Sequence, residues 1–125
     1  MDNKDFTTLE VWKSSHKLIL GVYRFCKTLP KDETYNLISQ LKRSASSNAA
    51  NIAEGYGRYY YQDNISFCRK ARGSLYETRN HLLQAKSLEF GDQSLCNELI
   101  DQTIDTGKIL NGYIRHLNLK KPGKE

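Results

Sequence analysis

Apolar residues recur every three or four positions through four long stretches of this chain, and short breaks containing proline or glycine separate the stretches. The breaks fall at Leu29-Pro30, Gly55 and Gly91-Asp92. A spacing of three and four matches the 3.6-residue turn of an α-helix, and proline and glycine are typical of helix ends. The pattern therefore predicts four amphipathic helices and no strand.

Residues typical of helix ends set the expected bounds of these helices. Thr7 and Glu10 have the spacing of a capping box before the first helix, and Gly55 is typical of the end of the second. We expect helices over about Thr8–Thr28, Glu33–Glu54, Asp63 or Asn64 to Phe90, and Gln93–Leu117. Amphipathic helices with short connections favour an all-α, antiparallel, up-down-up-down four-helix bundle. We expect residues 1–118 to form this single domain and residues 119–125 to form a basic disordered tail.

The composition agrees with one soluble domain. The chain has 125 residues, of which 38% are hydrophobic and 26% are charged, with only 8 Gly and 2 Pro. These values exclude the collagen-like, disulfide-scaffold and disordered classes. Because the sequence shows neither a signal peptide nor a long apolar run, we expect a cytoplasmic protein that does not bind a membrane. Cys26, Cys68 and Cys96 are odd in number and far apart, so we expect them to be reduced and packed.

Positive and negative charges are segregated along the chain. The formal net charge is +5, from 19 Lys and Arg against 14 Asp and Glu. Residues 13–43 hold seven basic side chains against two acidic ones, and residues 58–79 hold five against two, whereas residues 89–105 hold five acidic and no basic side chains. A protein that is basic on one side and acidic on another can bind nucleic acid or pair head-to-tail with copies of itself.

The sharpest cluster of positive charge is a stripe on the predicted third helix. Arg69, Arg72, Tyr76 and Arg79 fall within about a quarter of its circumference, beside the core-facing positions. Three arginines beside a tyrosine can hold phosphates and stack a base, so this stripe is a candidate nucleic-acid site; a basic edge bonded to a neighbouring subunit is the alternative. Further candidates on the first helix and in the tail are Lys13, Lys17, Arg24, Lys120 and Lys121, although a solvated charged face also explains those on the first helix.

Two other faces are candidates for contacts between helices or subunits. The second helix carries a polar stripe opposite its core face, at Gln40, Arg43, Ser47, Asn51, Glu54 and, just beyond the helix, Arg58. Buried amides and hydroxyls need hydrogen-bond partners, so this stripe favours contact with another helix or another subunit. Glu98, Asp101 and Asp105 line the outer face of the fourth helix, and they are a natural counterpart of the arginine stripe on a neighbouring copy.

The sequence does not indicate a catalytic or metal site. His16, His81 and His116 are scattered and lack the spacing of metal ligands. Gly55-Tyr56-Gly57 follows a predicted helix, so it favours a helix end over a dinucleotide-binding loop. We therefore expect no cofactor, no metal and no enzymatic activity, and a hydrolase or transferase stays open only as a site assembled by tertiary packing.

Several runs of residues resemble one known family. They are Gln40-Leu41-Lys42-Arg43-Ser44-Ala45, Asn51-Ile52-Ala53-Glu54-Gly55-Tyr56-Gly57-Arg58 and Gly73-Ser74-Leu75-Tyr76-Glu77, with Phe6-Thr7-Thr8-Leu9-Glu10-Val11-Trp12 and Leu29-Pro30 nearer the start. Over about residues 6–118 the chain resembles the bacterial four-helix-bundle family typified by the 23S rRNA intervening-sequence protein. This resemblance implies a ring-shaped homopentamer of four-helix protomers. A more distant similarity in fold and charge, to the accessory subunit of diversity-generating retroelements, implies nucleic acid and a nucleic-acid enzyme, a reverse transcriptase, as partners.

The matching runs also bear on assembly. Gly73-Ser74 place two small residues in mid-helix, where glycine costs about 0.5 to 1 kcal/mol relative to alanine, so we expect a close approach of another backbone there. Glu77 lies one turn beyond Gly73. We expect Glu54 and Arg58 to engage Glu77 or a neighbouring subunit in a charge network that sets the assembly.

Two functions from different classes follow from these features. The leading hypothesis is a non-catalytic homo-oligomer that binds RNA or DNA electrostatically through its basic helix faces. The alternative is a protein-interaction scaffold whose basic faces are used in subunit contacts, with Tyr59, Tyr60 and Tyr61 as an exposed aromatic docking patch.

Overall fold

The computed structural model describes residues 5–120, and four long α-helices account for most of them. The helices are α1 (Glu10–Cys26), α2 (Leu37–Tyr56), α3 (Tyr61–Ser87) and α4 (Gln93–Lys120). Short 3₁₀ turns at Phe6–Thr8 and Lys31–Glu33 precede α1 and α2. The prediction of an all-α fold with four helices is confirmed.

Local hydrogen bonding explains why α1 and α2 begin later than expected. Asp5 accepts a hydrogen bond from the backbone N–H of Thr7 at 2.9 Å and so caps the first 3₁₀ turn. Because this turn ends at Thr8, the capping box expected from Thr7 and Glu10 does not form. The second 3₁₀ turn takes up Lys31–Glu33 in the same way, and α2 begins only at Leu37.

The last helix is longer than expected. It continues three residues past Leu117, the predicted end, so that Leu119 and Lys120 belong to α4. Helical backbone at these two positions corrects the expected start of the tail at residue 119. The rest of the predicted tail, including Lys121, lies outside the described residues.

Hydrogen bonds between helices show that neighbours in the bundle run antiparallel. As the residue number rises on one helix of each pair, the number of its partner on the other falls. The pairs are Ser44–Thr78 and Asn48–Ala71 between α2 and α3, and Arg72–Asn111 and Arg79–Thr103 between α3 and α4. The helices therefore pack in the order α1, α2, α3, α4, with α4 closing onto α1.

The buried apolar side chains form two clusters, one toward each end of the bundle. One cluster includes Leu18, Phe25, Leu41, Leu82 and Leu99, and the other includes Val11, Ile52, Ile65, Leu110 and Ile114. One side of α2 is buried throughout, at positions that recur mainly at steps of three and four: Leu37, Leu41, Ala45, Asn48, Ala49 and Ile52. Spacing alone was therefore sufficient to identify the inward side of this helix.

A layer of polar side chains separates the two apolar clusters. Ser15, Asn48, Thr103 and Thr106 are fully buried there. The Asn48 amide donates to the Ala71 carbonyl at 2.8 Å, and the hydroxyls of Ser14 and Thr106 lie 2.6 Å apart across α1 and α4. These bonds satisfy the Asn48 amide N–H and the hydroxyls of Ser14 and Thr106, and they hold the register between the helices. Within the described residues, Ser15 Oγ and Asn48 Oδ1 are buried without a hydrogen-bond partner.

Candidate nucleic-acid interface

Two arginines of α3 are anchored on α4. Arg72 Nη1 donates to Asn111 Oδ1 at 2.9 Å. Arg79 donates twice to Thr103, from Nε to Oγ1 at 2.8 Å and from Nη2 to the carbonyl oxygen at 3.1 Å. The two arginines are seven residues apart, which is two helical turns, so both project from the same edge of α3. The predicted position of this stripe, beside the core, agrees with these contacts.

The hydrogen-bond acceptors of Arg72 and Arg79 are neutral oxygens, so no bonded carboxylate offsets the positive charge of these arginines. Within residues 5–120 the ion pairs join Arg58 to Glu54 and His81 to Glu77. None of the three stripe arginines has a carboxylate within 4.0 Å in that part of the chain. The third of them, Arg69, is exposed to solvent. The edge between α3 and α4 therefore carries positive charge that no described carboxylate neutralises.

Tyr76 lies in the middle of this edge. Its side chain is 53% exposed, and the Arg79 guanidinium lies 5.0 Å from the ring centroid. An arginine that is bonded to Thr103 on one side and covers the ring on the other restricts the ring's orientation. Tyr76 is thus an exposed aromatic side chain that packs on an arginine held by Thr103.

Two basic residues of α4 extend the same surface, and sequence reasoning missed them. Lys108 and Arg115 are exposed and lie three residues before and four residues after Asn111, the partner of Arg72. Residues at these spacings share one side of a helix. The signal was present in the sequence, as a run of Ile104, Lys108, Asn111 and Arg115 at steps of four and three. We call the surface formed by Arg69, Arg72, Tyr76, Arg79, Lys108 and Arg115 the α3–α4 basic face.

The basic residues predicted on α1 lie in a different environment. Lys17 and Arg24 line a groove of about 260 Å³ between α1 and α4, together with Glu98, Asp101 and Asp105. Two positive and three negative side chains thus face the same space. Their fields largely offset each other, unlike those of the α3–α4 basic face. Lys13 is exposed on α1, and Lys120 is exposed at the end of α4.

Part of the predicted polar stripe on α2 contacts α3 within the same subunit. Ser74 donates to the Ser47 hydroxyl at 3.0 Å, and the Asn51 amide donates to the Ser47 carbonyl at 2.9 Å. Of the two alternatives left open by the sequence, a contact between helices explains Ser47. Arg43 donates to Gln40 on the same helix, and Arg43 is exposed.

The charge network expected inside the subunit does not include Glu77. Arg58 lies 4.0 Å from Glu54 and stacks over the Phe67 ring at 4.6 Å, whereas Glu77 lies 3.5 Å from His81. Glu77 is ten residues beyond Phe67 on α3, a distance of about 15 Å along the helix. This separation corrects the expected link between Arg58 and Glu77 within one protomer.

The close backbone approach expected at Gly73 is also absent within the subunit. No heavy atom of residues 5–120 outside its own local backbone lies within 4 Å of a Cβ placed on this glycine. Gly73 is exposed on the outside of α3. The packing of a single protomer therefore gives no reason for a glycine here.

A second exposed aromatic cluster lies at the junction of α2 and α3. The rings of Tyr59 and Tyr60 meet edge to face at 4.8 Å, and their side chains are 58% and 48% exposed. Close by in sequence, Phe67 is covered by two cations, Arg58 and Lys70, the second at 4.5 Å from the ring centroid. Tyr61, predicted as part of the same patch, packs instead against the apolar cluster around Ile65.

The three cysteines are buried and free. Burial raises the pKa of the Cys26 thiol to about 11 and that of the Cys68 thiol to about 12, and it also raises the pKa of Cys96. Among residues 5–120, no group of three or more His, Cys, Asp or Glu side chains is arranged to hold a metal ion. No described helix combines the length and apolar character needed to cross a membrane.

Comparisons with known proteins identify a family and show a similar fold in a solved structure. A model of the 23S rRNA-intervening sequence protein family matches residues 7–112 of the chain. The fold is similar to a crystal structure of a protein of unknown function from the S23 ribosomal protein family of Bacteroides thetaiotaomicron VPI-5482, with a TM-score of 0.76 and 21% sequence identity. The match covers 83% of this chain and 97% of that chain. No curated protein matches the chain.

Proposed function

Because the chain belongs to the 23S rRNA-intervening sequence protein family, we propose that it is a non-catalytic, homo-oligomeric helical module that binds nucleic acid electrostatically. The observation that carries the proposal is the unneutralised charge of the α3–α4 basic face. Arg72 and Arg79 are held in place by neutral oxygens of α4, so they need no rearrangement to meet a phosphate. Arginine binds phosphate well because its planar guanidinium can donate two parallel hydrogen bonds.

The oligomer in this proposal is the pentameric ring that the family resemblance implies. The groove between α1 and α4 supplies the exposed carboxylates Glu98, Asp101 and Asp105, and the outer edge of α2 supplies Arg43 and Arg58, both exposed. These surfaces lie on opposite sides of the bundle, so a contact between them is head-to-tail. Such a contact leaves the α3–α4 basic face free, and the assembly multiplies the +5 charge of each subunit.

The proposal is tested by the salt dependence of RNA binding. We expect the protein to bind a labelled single-stranded RNA in fluorescence anisotropy, with an affinity that falls steeply between about 50 and 200 mM salt. The double variant Arg69→Gln/Lys108→Gln removes two exposed charges without touching a described hydrogen bond. Each lost phosphate contact lowers the slope of log K against log salt by about 0.7 on a single strand, so we expect a decrease of about 1.4.

A matched control removes the same charge from another surface. Lys17→Gln/Arg24→Gln takes two positive charges from the acidic groove, and we expect the slope to stay that of the wild type. Equal losses for the two double variants would show that only net charge matters. No binding of the wild type at 50 mM salt would contradict the proposal itself.

The exposed pair Tyr59 and Tyr60 favours a second candidate function, a protein-docking scaffold. Tyrosine and arginine are enriched at protein interfaces, and this junction combines both with mixed charge. A nucleic-acid enzyme is the kind of protein partner we propose. The scaffold is favoured if the assembly does not bind RNA at any salt concentration but binds such an enzyme through Tyr59 and Tyr60.

A further inference from the structure

We propose that Tyr76 is a stacking platform for an unpaired base, so that the α3–α4 basic face selects single-stranded nucleic acid over duplex. This inference rests on the proposed function, because it names the form of nucleic acid that the same surface takes. It adds a specific contact to binding that would otherwise depend on charge alone.

The Tyr76 ring contacts an arginine that is held in place. Arg79 covers the ring at 5.0 Å and is itself fixed by two hydrogen bonds to Thr103. The side chain nevertheless remains 53% exposed. The ring packs on the Arg79 guanidinium and is open to solvent. Because this contact already restricts the ring's motion, stacking a base on it costs little conformational entropy.

Two glycines near Tyr76 leave space beside the ring. The helical register between α3 and α4 places Gly107 opposite Tyr76, and a Cβ placed on Gly107 would make only ordinary contacts, with Leu75 at 3.5 Å and Arg79 at 3.6 Å. One turn before Tyr76, Gly73 has no neighbouring atom within 4 Å of a Cβ position. Neither glycine has a side chain that could cover the tyrosine. Because Tyr76 is also about half exposed, a flat base can reach its ring.

Two arginines precede Tyr76 on the same edge of α3. Arg72 lies one turn before Tyr76 and Arg69 two turns before it, about 6 and 10 Å along the axis. A strand that follows α3 can therefore place phosphates at the arginines while one base rests on the ring. In a duplex the bases are already paired and stacked, so the same protein surface meets only the phosphates.

The test compares substitutions of Tyr76 on matched probes. The probes are a labelled 12-nucleotide RNA, the DNA of the same sequence, and the RNA duplex, each measured by anisotropy at one fixed salt concentration. We expect Tyr76→Leu to weaken binding of the single strands by about 5- to 150-fold, the range for loss of one stacked base. Duplex binding stays within twofold. Tyr76→Phe keeps the ring and keeps wild-type affinity.

Tyr60→Leu is the matched control, because it removes a tyrosine of similar exposure from the α2–α3 junction. We expect it to leave single-strand binding unchanged, and thermal unfolding to show that each variant remains folded. A Tyr76→Leu loss on both RNA and DNA supports the platform for either strand, and a loss on RNA alone assigns RNA as its occupant. If Tyr76→Leu binds single strands like the wild type while Arg69→Gln/Lys108→Gln binds weakly, stacking is wrong and electrostatic binding stands. If the wild type binds no probe, both proposals fail.

Discussion

At the scale of the residue, Arg79 serves the fold and the surface at once. A guanidinium that donates to a carboxylate loses most of its outward field, whereas one that donates to a hydroxyl and a carbonyl does not. Arg79 is of the second kind, with Thr103 as its partner. The same bonds that join α3 to α4 therefore leave a fixed positive charge at the protein surface.

The buried thiols give a prediction at this scale. Cys26 and Cys68 ionise only near pH 11 and 12 in the folded chain, against an ordinary pKa of 9.0. Above pH 9 the unfolded chain has lost these two protons and the folded chain has kept them, so stability falls as pH rises. We expect the free energy of unfolding to decrease by about 3 kcal/mol between pH 8 and pH 10, measured by urea denaturation.

A variant without the two thiols separates their effect on stability from every other effect of raising the pH. Cys26→Ala/Cys68→Ala is less stable at pH 8, because two core side chains become smaller. We expect the variant to lose about 3 kcal/mol less than the wild type over the same pH range. The same pH dependence in both proteins would mean that the thiols are not responsible.

Helical spacing predicted which residues of the stripe share an edge, but not what they bind. Arg72 and Arg79 follow from periodicity along one helix, whereas their partners lie 39 and 24 positions away on another. Predicting these hydrogen-bonded pairs requires the register between α3 and α4, which depends on how the buried side chains of the two helices pack. For the same reason the sequence could not separate the free charges from Lys17 and Arg24, which face carboxylates across a groove.

At the scale of the element, periodicity determines the inward face of a helix more reliably than its outward contacts. The core face of α2 could be read directly from the sequence, because burial repeats every 3.6 residues. The polar stripe on the same helix could not be assigned to α3 or to another subunit, since both present hydrogen-bond partners. The bonds of Ser47 to Ser74 and of Ser44 to Thr78 assign these two serines to the contact with α3, whereas Arg43 and Arg58 stay exposed.

Two glycines at different positions in these helices give opposite predictions. Gly73 is exposed in mid-helix with open space around it, so Gly73→Ala removes a conformational cost without a clash. We expect the variant to raise the free energy of unfolding by about 0.5 to 1 kcal/mol in urea denaturation. A lower stability that depends on protein concentration would instead place Gly73 in a subunit contact.

Gly55→Ala is the matched comparison, because it adds the same methyl group at a closed position. Its Cβ would lie 2.6 Å from Asn64 Oδ1 and 3.0 Å from the Phe67 Cβ, where α2 passes into α3. Asn64 is buried and donates to the Tyr113 hydroxyl at 3.2 Å, so it cannot move away without disturbing the packing. We expect a loss of about 1 to 3 kcal/mol.

At the scale of the whole molecule, charge is divided between sides of the bundle. Glu98, Asp101 and Asp105 lie on the side of α4 that faces α1, and Arg72 and Arg79 lie against the side that faces α3. A single helix therefore separates an acidic groove from a basic face. In the proposed assembly the groove contacts another copy of the chain, and the basic face stays open to a polyanion.

The last prediction concerns assembly and distinguishes the two candidate functions. We expect light scattering after size exclusion to give a multiple of the 14.4 kDa subunit mass at 100 mM salt. Glu98→Gln/Asp101→Asn/Asp105→Asn lowers that mass, because it removes the acidic half of the head-to-tail contact. Arg69→Gln/Lys108→Gln keeps the wild-type mass, since the α3–α4 basic face is free in the assembly. If instead this second variant dissociates, the arginines are used between subunits, and a scaffold explains the charge pattern better than nucleic-acid binding does.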